Sequence, residues 1–271
     1  MLIAIVVRLV AEQEVLLPFH AGRAVHAAVL AHIGGVDAAL AAALHADDGP
    51  KPLTCSDIMG GRSSAEGRVL QAGEGCALRV TGLTEPVAAA LTTAILTRPP
   101  TTWPVADSTL RVVGAQCDPA ADAWSGRTTY EALAAAQLTR MERPERQVTL
   151  DFYTPTTFKS GGMHVPLPLP SLVFGNLVDR WNAFSPIALS PEVRRFGEEM
   201  VAISRYKLES RSVAFKAGSQ RIGGVGRVTY RAIGGDRYWL GVMQMLADFA
   251  FYSGVGALTT AGFGQARRAE R

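Results

Sequence analysis

Apolar and polar positions change their spacing several times along this chain, and each change marks an element. Residues 2–10 form a β-branched, apolar run that predicts a strand. From His20 to Ile33 the spacing is helical, with Val25 and Val29 on one side and His26, Leu30 and Ile33 on another. Gly34-Gly35 ends that helix, and an alanine-rich helix is predicted from about Val36 to Leu44. Residues 46–66 gather Asp-Gly, Gly-Pro, Gly-Gly and Ser-Ser pairs, the composition of a long loop. Short strands near 67–72 and 76–81 follow, then a helix at 85–97 stopped by Pro99-Pro100 and a strand at 109–115. The order strand, helix pair, two strands, helix, strand is close to the split βαβ of ferredoxin-like folds.

A polar, mixed stretch at 118–146 interrupts the pattern and places a boundary between domains 1–143 and 144–271. Beyond it the order partly repeats: a strand at 146–153, helices at about 170–184 and 190–204, long strands at 205–217 and 220–233, a helix at 236–252 and a last strand at 263–270. The expected fold class is α+β, two tandem ferredoxin-like (RRM-like) domains. The halves share no sequence repeat, so this expectation rests on element order alone.

Composition narrows the class. Of 271 residues 48% are hydrophobic and 19% charged, enough apolar surface for real cores and too much for wholesale disorder. No run of about eighteen uncharged apolar residues occurs, so no membrane span is expected. The opening LIAIVV stretch meets Arg8 and lacks a basic leader, which argues against a secretory signal. Cys55, Cys76 and Cys117 have no CxxC spacing, which argues against a disulfide framework and a zinc module. A cytoplasmic protein is expected.

The formal charge of +3 is unevenly spread, −3 over residues 1–143 and +6 over 144–271. Within 205–231, Arg205, Lys207, Arg211, Lys216, Arg221, Arg227 and Arg231 face only Glu209. This pattern fits a solvated strand face, or a surface that tracks phosphates through arginine forks.

The segment Ser253–Gly264, between the last predicted helix and strand, holds Gly254, Gly256, Gly262 and Gly264. Such glycines permit positive φ and close backbone approach, and their amides could form an anion-binding concavity. A dinucleotide loop would need GxGxxG between a strand and a helix, the reverse of this order. A structural turn and a loop that holds a nucleic-acid backbone remain.

The GxGxxxxxGFG spacing on a ferredoxin-like domain resembles the signature of the RAMP proteins. More closely, the chain resembles the CRISPR repeat-processing endoribonucleases of that superfamily. Leu44-His45, Gly49-Pro50-Lys51, Leu53-Thr54 and Ser56 match the family's catalytic loop. Pro18-Phe19-His20 opens the first helix as the family does, and Phe152 through Phe158 resembles the start of its second domain. The resemblance implies tandem ferredoxin-like domains, CRISPR repeat RNA as partner and no cofactor. From the glycine spacing and the charge bias, RNA is expected on the four glycines and on Lys159, Lys216, Arg221, Arg227, Arg267 and Arg268.

Cutting RNA without a metal needs a base near the 2′-hydroxyl, an acid for the 5′-oxygen and a cation for the phosphorane charge. Histidine suits the first two, lysine the third. His45 and Lys51 are six residues apart, and the Gly49-Pro50 turn can fold them towards one phosphate. A histidine ending a helix also meets terminal carbonyls, and a loop lysine is also ordinarily solvated. Some family members use a tyrosine in the first helix. Leu30 holds that place here, and His26, a turn earlier, or His32 could replace it. His20 flanks the helix start, and His164 lies in a loop able to touch RNA. No metal site is expected, with Asp47-Asp48 read as a solvated turn. Aromatics total 7% without RNP-like alternation, so backbone and shape recognition is expected over base stacking.

The expected function is a metal-independent endoribonuclease that cleaves CRISPR precursor RNA within its repeats. The alternative is a non-catalytic RAMP subunit that binds guide RNA in an effector complex, which would have no need of His45 and Lys51. Effector subunits and a homodimer are further partners this reading leaves open.

Overall fold

The structure, a computed structural model, describes residues 1–46, 49–214 and 219–269. Asp47, Asp48 and Lys216 lie outside them. The chain divides into two compact units, Met1–Arg127 with Thr260–Gly262, and Thr128–Thr259 with Phe263–Arg271.

The first unit contains β1 (Leu2–Val10), β2 (Val15–Leu17), α1 (Gly22–Gly34), α2 (Ala38–Ala46), β3 (Leu53–Cys55), β4 (Arg62–Ser63) and β5 (Arg68–Leu70). After these come β6 (Gly75–Gly82), α3 (Glu85–Leu91), β7 (Thr102–Val105), β8 (Ser108–Gln116) and β9 (Gly126–Thr128). Its main sheet runs β3-β6-β1-β8-β7, with β9 also on β1. The β-branched run of β1 suits its central place, since a strand flanked on both sides is buried almost throughout. Ile3, Ile5, Val7 and Leu9 alternate onto one face and join Val25, Val29 and Ile33 of α1 in the core.

The second unit contains α4 (Tyr130–Leu138), β10 (Gln147–Thr156), β11 (Phe158–Ser160), β12 (Met163–Val165), α5 (Pro170–Phe184) and α6 (Val193–Glu199). It ends with β13 (Val201–Ala214), β14 (Gln220–Ala232), α7 (Arg237–Ser253) and β15 (Ala266–Arg268). Its sheet runs β13-β14-β10-β15. In both units the four core strands stand in the spatial order second, third, first, fourth, with two helices before the second and one before the fourth. Both units are therefore ferredoxin-like, as the element order predicts.

The structure changes several boundaries. The region read as a loop at 46–66 holds β3, a buried edge strand whose three residues after Pro52 are too short to show a period. The helix at 85–97 is α-helical to Leu91 and π-helical from Thr92 to Thr97. The polar stretch at 118–146 contains α4, which Thr129 caps by accepting the Ala132 amide. Tyr130 opens that helix against Trp181 and Phe249, at ring separations of 5.0 and 5.7 Å. This packing puts α4 in the second unit and moves the boundary upstream from residue 143 to Arg127. The helix at 190–204 stops at Glu199, because Val201 already pairs with Ala232 in the sheet. The last strand is only Ala266–Arg268. Among the described residues, no helix is long and apolar enough to cross a membrane.

Candidate active site and RNA-binding surface

The alanine-rich α2 ends at Ala46, so the carbonyls of its last turn lack helical partners. The Lys51 ammonium donates to one of them, Leu44 O, at 2.7 Å. That bond folds the segment after the Gly49-Pro50 turn back onto the helix end beside the exposed His45. His26 is half-buried on α1. Burial favours its neutral form, and the nearby charges of Lys51 and His45 lower its pKa further. His26, His45 and Lys51 thus share one electrostatic neighbourhood. His32 does not join them. Its ring packs on Trp103 at 4.6 Å, its Nε2 is buried with no hydrogen-bond partner among the described residues, and burial alone lowers its pKa. His32 packs at the core edge, apart from that neighbourhood.

At the other end of α1, His20 does more than flank the helix. Its Nδ1 lies 3.3 Å from Asp57 Oδ2, and its Nε2 lies 2.6 Å from Ala261 O. Asp57 Oδ1 accepts from the Ala21 and Ile58 amides, each at 2.8 Å, and from Arg68 at 3.0 Å. The helix starts at Gly22, two residues later than its pattern predicts, because Asp57 binds the Ala21 amide that precedes it.

The glycine segment answers differently from expectation. Gly254, Gly256, Gly262 and Gly264 all have positive φ, and all four are buried. Their amides donate within the protein, to Ala250 O, Asn176 Oδ1, Cys55 O and Pro155 O respectively. The Val255 and Ala257 amides are likewise spent on Gly264 O and Thr157 O. An anion cradle needs amides aimed outward, and these four glycines aim their amides at protein acceptors instead. They build a turn. A Cβ on Gly256 would overlap Thr157 O, and one on Gly264 would overlap Val255 O.

The described basic residues expected to meet RNA fall into two clusters and a strut. Lys207, Arg227, Asp151 and Arg267 stand side by side across all four strands. Arg227 forks onto Asp151 at 2.5 and 2.7 Å, and Arg267 lies over the Tyr153 ring at 5.3 Å. Arg205 and Arg227 line a cavity of about 490 Å³ with Thr149, Ser204, Thr229 and Arg268. Arg268 itself bonds Gln244 and pairs with Asp248 at 3.0 Å, which makes it a strut between β15 and α7. A second cluster joins Lys159, directly opposite His164 in the β11–β12 hairpin, to Arg221 of β14. Burial and these two cations lower the His164 pKa. Lys216 lies outside the described residues.

Residues 1–135 match the family described as CRISPR Cas6 N-terminal domain, and residues 150–266 match CRISPR-associated endoribonuclease Cas6. The chain belongs to the Cas6 family. Over 135 residues it is 30% identical to the CRISPR-associated endoribonuclease Cas6 of Streptococcus thermophilus, a match that covers 48% of this chain and 54% of that protein. The Mycobacterium tuberculosis H37Rv protein of the same description is 32% identical over 130 residues, 46% of this chain and 40% of that one. The match thus spans about half the length of these curated relatives, or less. A Thermus thermophilus Cas6 in a product complex has a TM-score of 0.78 at 28% identity, over 99% of this chain and 100% of that one. Within this Cas6 chain, sequence reasoning missed Asp57 and Arg68. Neither lies in a motif, and only the network around His20 singles them out.

Proposed function

We propose that this chain is an endoribonuclease that cuts CRISPR precursor RNA within its repeats, without a metal ion and in the cytoplasm. The observation that supports it best is the convergence of His26, His45 and Lys51. His26, whose neutral form is favoured, takes the proton of the 2′-hydroxyl. The 2′-oxygen attacks the adjacent phosphorus and the bond to the 5′-oxygen breaks. His45 donates a proton to that leaving oxygen, and Lys51 stabilises the extra charge of the phosphorane. The products are a 2′,3′-cyclic phosphate and a 5′-hydroxyl.

Cleavage of repeat RNA is expected to proceed in excess EDTA and to stop when the nucleotide before the scissile phosphate is 2′-deoxy. Mapping of product ends checks both. Cleavage of the 2′-deoxy RNA would exclude the internal nucleophile, and loss of activity in EDTA would exclude the metal-free step. Binding without any cleavage would favour the guide-RNA-binding RAMP subunit.

RNA affinity in this reading comes from the second unit's cations. Joint reversal of Lys159 and Arg221 to Glu is expected to weaken repeat-RNA binding. For every phosphate the variant no longer neutralises, the dependence of log K on log salt should flatten by roughly 0.7 for a single strand, or about 0.9 for duplex-like RNA. Arg111→Glu is the control, since Arg111 pairs with Glu12 in the first unit at 3.0 Å. Equal salt slopes for all three proteins would remove RNA from this hairpin.

A further inference from the structure

We propose that His20 is a positioning residue for cleavage: clasped between the Asp57 carboxylate and the Ala261 carbonyl, it locks the start of the helix that carries His26 to the segment that follows Lys51. The inference rests on reading His26, His45 and Lys51 as the cleavage site.

Both ring nitrogens of His20 face oxygens that only accept, Asp57 Oδ2 and Ala261 O. A neutral imidazole has one N–H and can serve one of them, whereas the imidazolium serves both. With its side chain only 8% exposed, His20 has little water to replace a lost partner. Burial pulls its pKa down, but the hydrogen bond and charge of Asp57, helped by Ala261 O, outweigh burial and the opposing Arg68, and leave it raised. Asp57 mirrors this. Burial pushes its carboxyl up, yet His20, Arg68 and the Ala21 amide hold it below its ordinary value.

The clasp reaches the site along two rigid paths. His26 is four residues beyond Gly22, the first residue of α1, about 6 Å along the axis at 1.5 Å per helical residue. Lys51 precedes Asp57 by six residues, with β3 between them held to β6. The Asp57 carboxylate joins the two paths by taking the Ala21 and Ile58 amides together. Ala261 and Gly262 brace the joint from the first unit's third strip of chain: the Gly262 amide donates to Cys55 O at 3.1 Å, and Gly262 bridges Ser56. Glycine is needed on both sides. A Cβ on Gly22 would overlap Ala261 O, and one on Gly262 would come within 2.8 Å of the His20 ring.

The pH window follows. The stabilisation from His20 is complete below the ordinary histidine value of about 6.5 and is lost as pH rises through its raised folded value. The Asp57 contribution is complete above the ordinary carboxyl value and fails only as pH falls through its lowered one. The clasp is therefore fully closed between the ordinary carboxyl and ordinary histidine values, and it loosens as pH rises through the raised value of His20.

The test is an NMR titration of the histidine rings in the full-length protein, in wild type, Asp57→Asn and His20→Gln. In wild type His20 should titrate above the ordinary range and His26 below it. In both variants the His26 titration should move upward as its helix shifts from Lys51. Single-turnover cleavage at saturating repeat RNA should fall about tenfold or more, with affinity within about twofold, because small misplacements of reacting groups cost rate. A wild-type His20 that titrates at or below the ordinary value would overturn the proposal, and this arm needs no variant to fold. Folded variants with an unchanged His26 titration and wild-type rate would overturn it equally. Wild-type protein that cleaves no repeat RNA would count against the cleavage site alone, with the two ring titrations still deciding the clasp.

Discussion

Replacing His45 by alanine is expected to slow single-turnover cleavage of repeat RNA by about 10²-fold or more, the usual scale of general acid–base catalysis. His45 is exposed at the end of α2, so its loss removes a proton donor without opening a core, and RNA affinity should change little. His26→Ala should cost a similar factor and should also change the pH profile. The His26 pKa is lowered, so its base form persists below the ordinary histidine value and is lost only as pH falls through the folded value. The acid limb of the rate profile should lie at that lowered value in wild type and vanish in the variant. Near-normal cleavage by either alanine variant, measured by rapid quench at saturating enzyme, would move the chemistry to other residues. His32→Ala should leave the rate within about threefold, because removing a group outside the reacting set affects catalysis little.

Gly264→Val is expected to destabilise the protein by about 3 kcal/mol or more, or to prevent folding. Gly264 has a φ of +69°, its amide donates to Pro155 O at 3.0 Å, and a Cβ would overlap Val255 O. A β-branched residue meets backbone strain and a backbone collision together, and neither is relieved by a side-chain rotation. Thermal unfolding of the RNA-free protein checks this. A variant that melts like wild type yet loses RNA binding would show that the segment faces RNA, against the buried and paired amides described above. Gly256→Val should behave alike, since its Cβ would overlap Thr157 O.

Some elements were legible because one strip of chain decides them. The run in β1 announces a buried strand, and α5 begins at Pro170, whose fixed φ and missing N–H suit a first helical turn. That Lys51 returns to the end of α2 beside His45 was legible because only six residues and a Gly-Pro turn separate them. The place of His26 was only half legible. Helical spacing placed it near Leu30, but its closeness to Lys51 depends on α1 packing beside α2 and on a lysine bond to Leu44 O. β3 and α4 escaped detection because three residues, or an alanine-rich turn sequence, have little periodicity until a partner buries them.

By itself the sequence determined the fold class, the order of its elements, the charge bias of the second half and the chemistry available at His45 and Lys51. All of these follow from residue type and short-range spacing. Only the tertiary structure decided which histidine stands near Lys51, and where the glycine amides point. His20 meets Asp57 across 37 residues and Ala261 across 241, separations at which no period or motif survives. Sequence reveals the φ freedom of the four glycines, and so suggests ligands, but not where their amides point. Burial and hydrogen-bond partners settle that, and both belong to the packed chain.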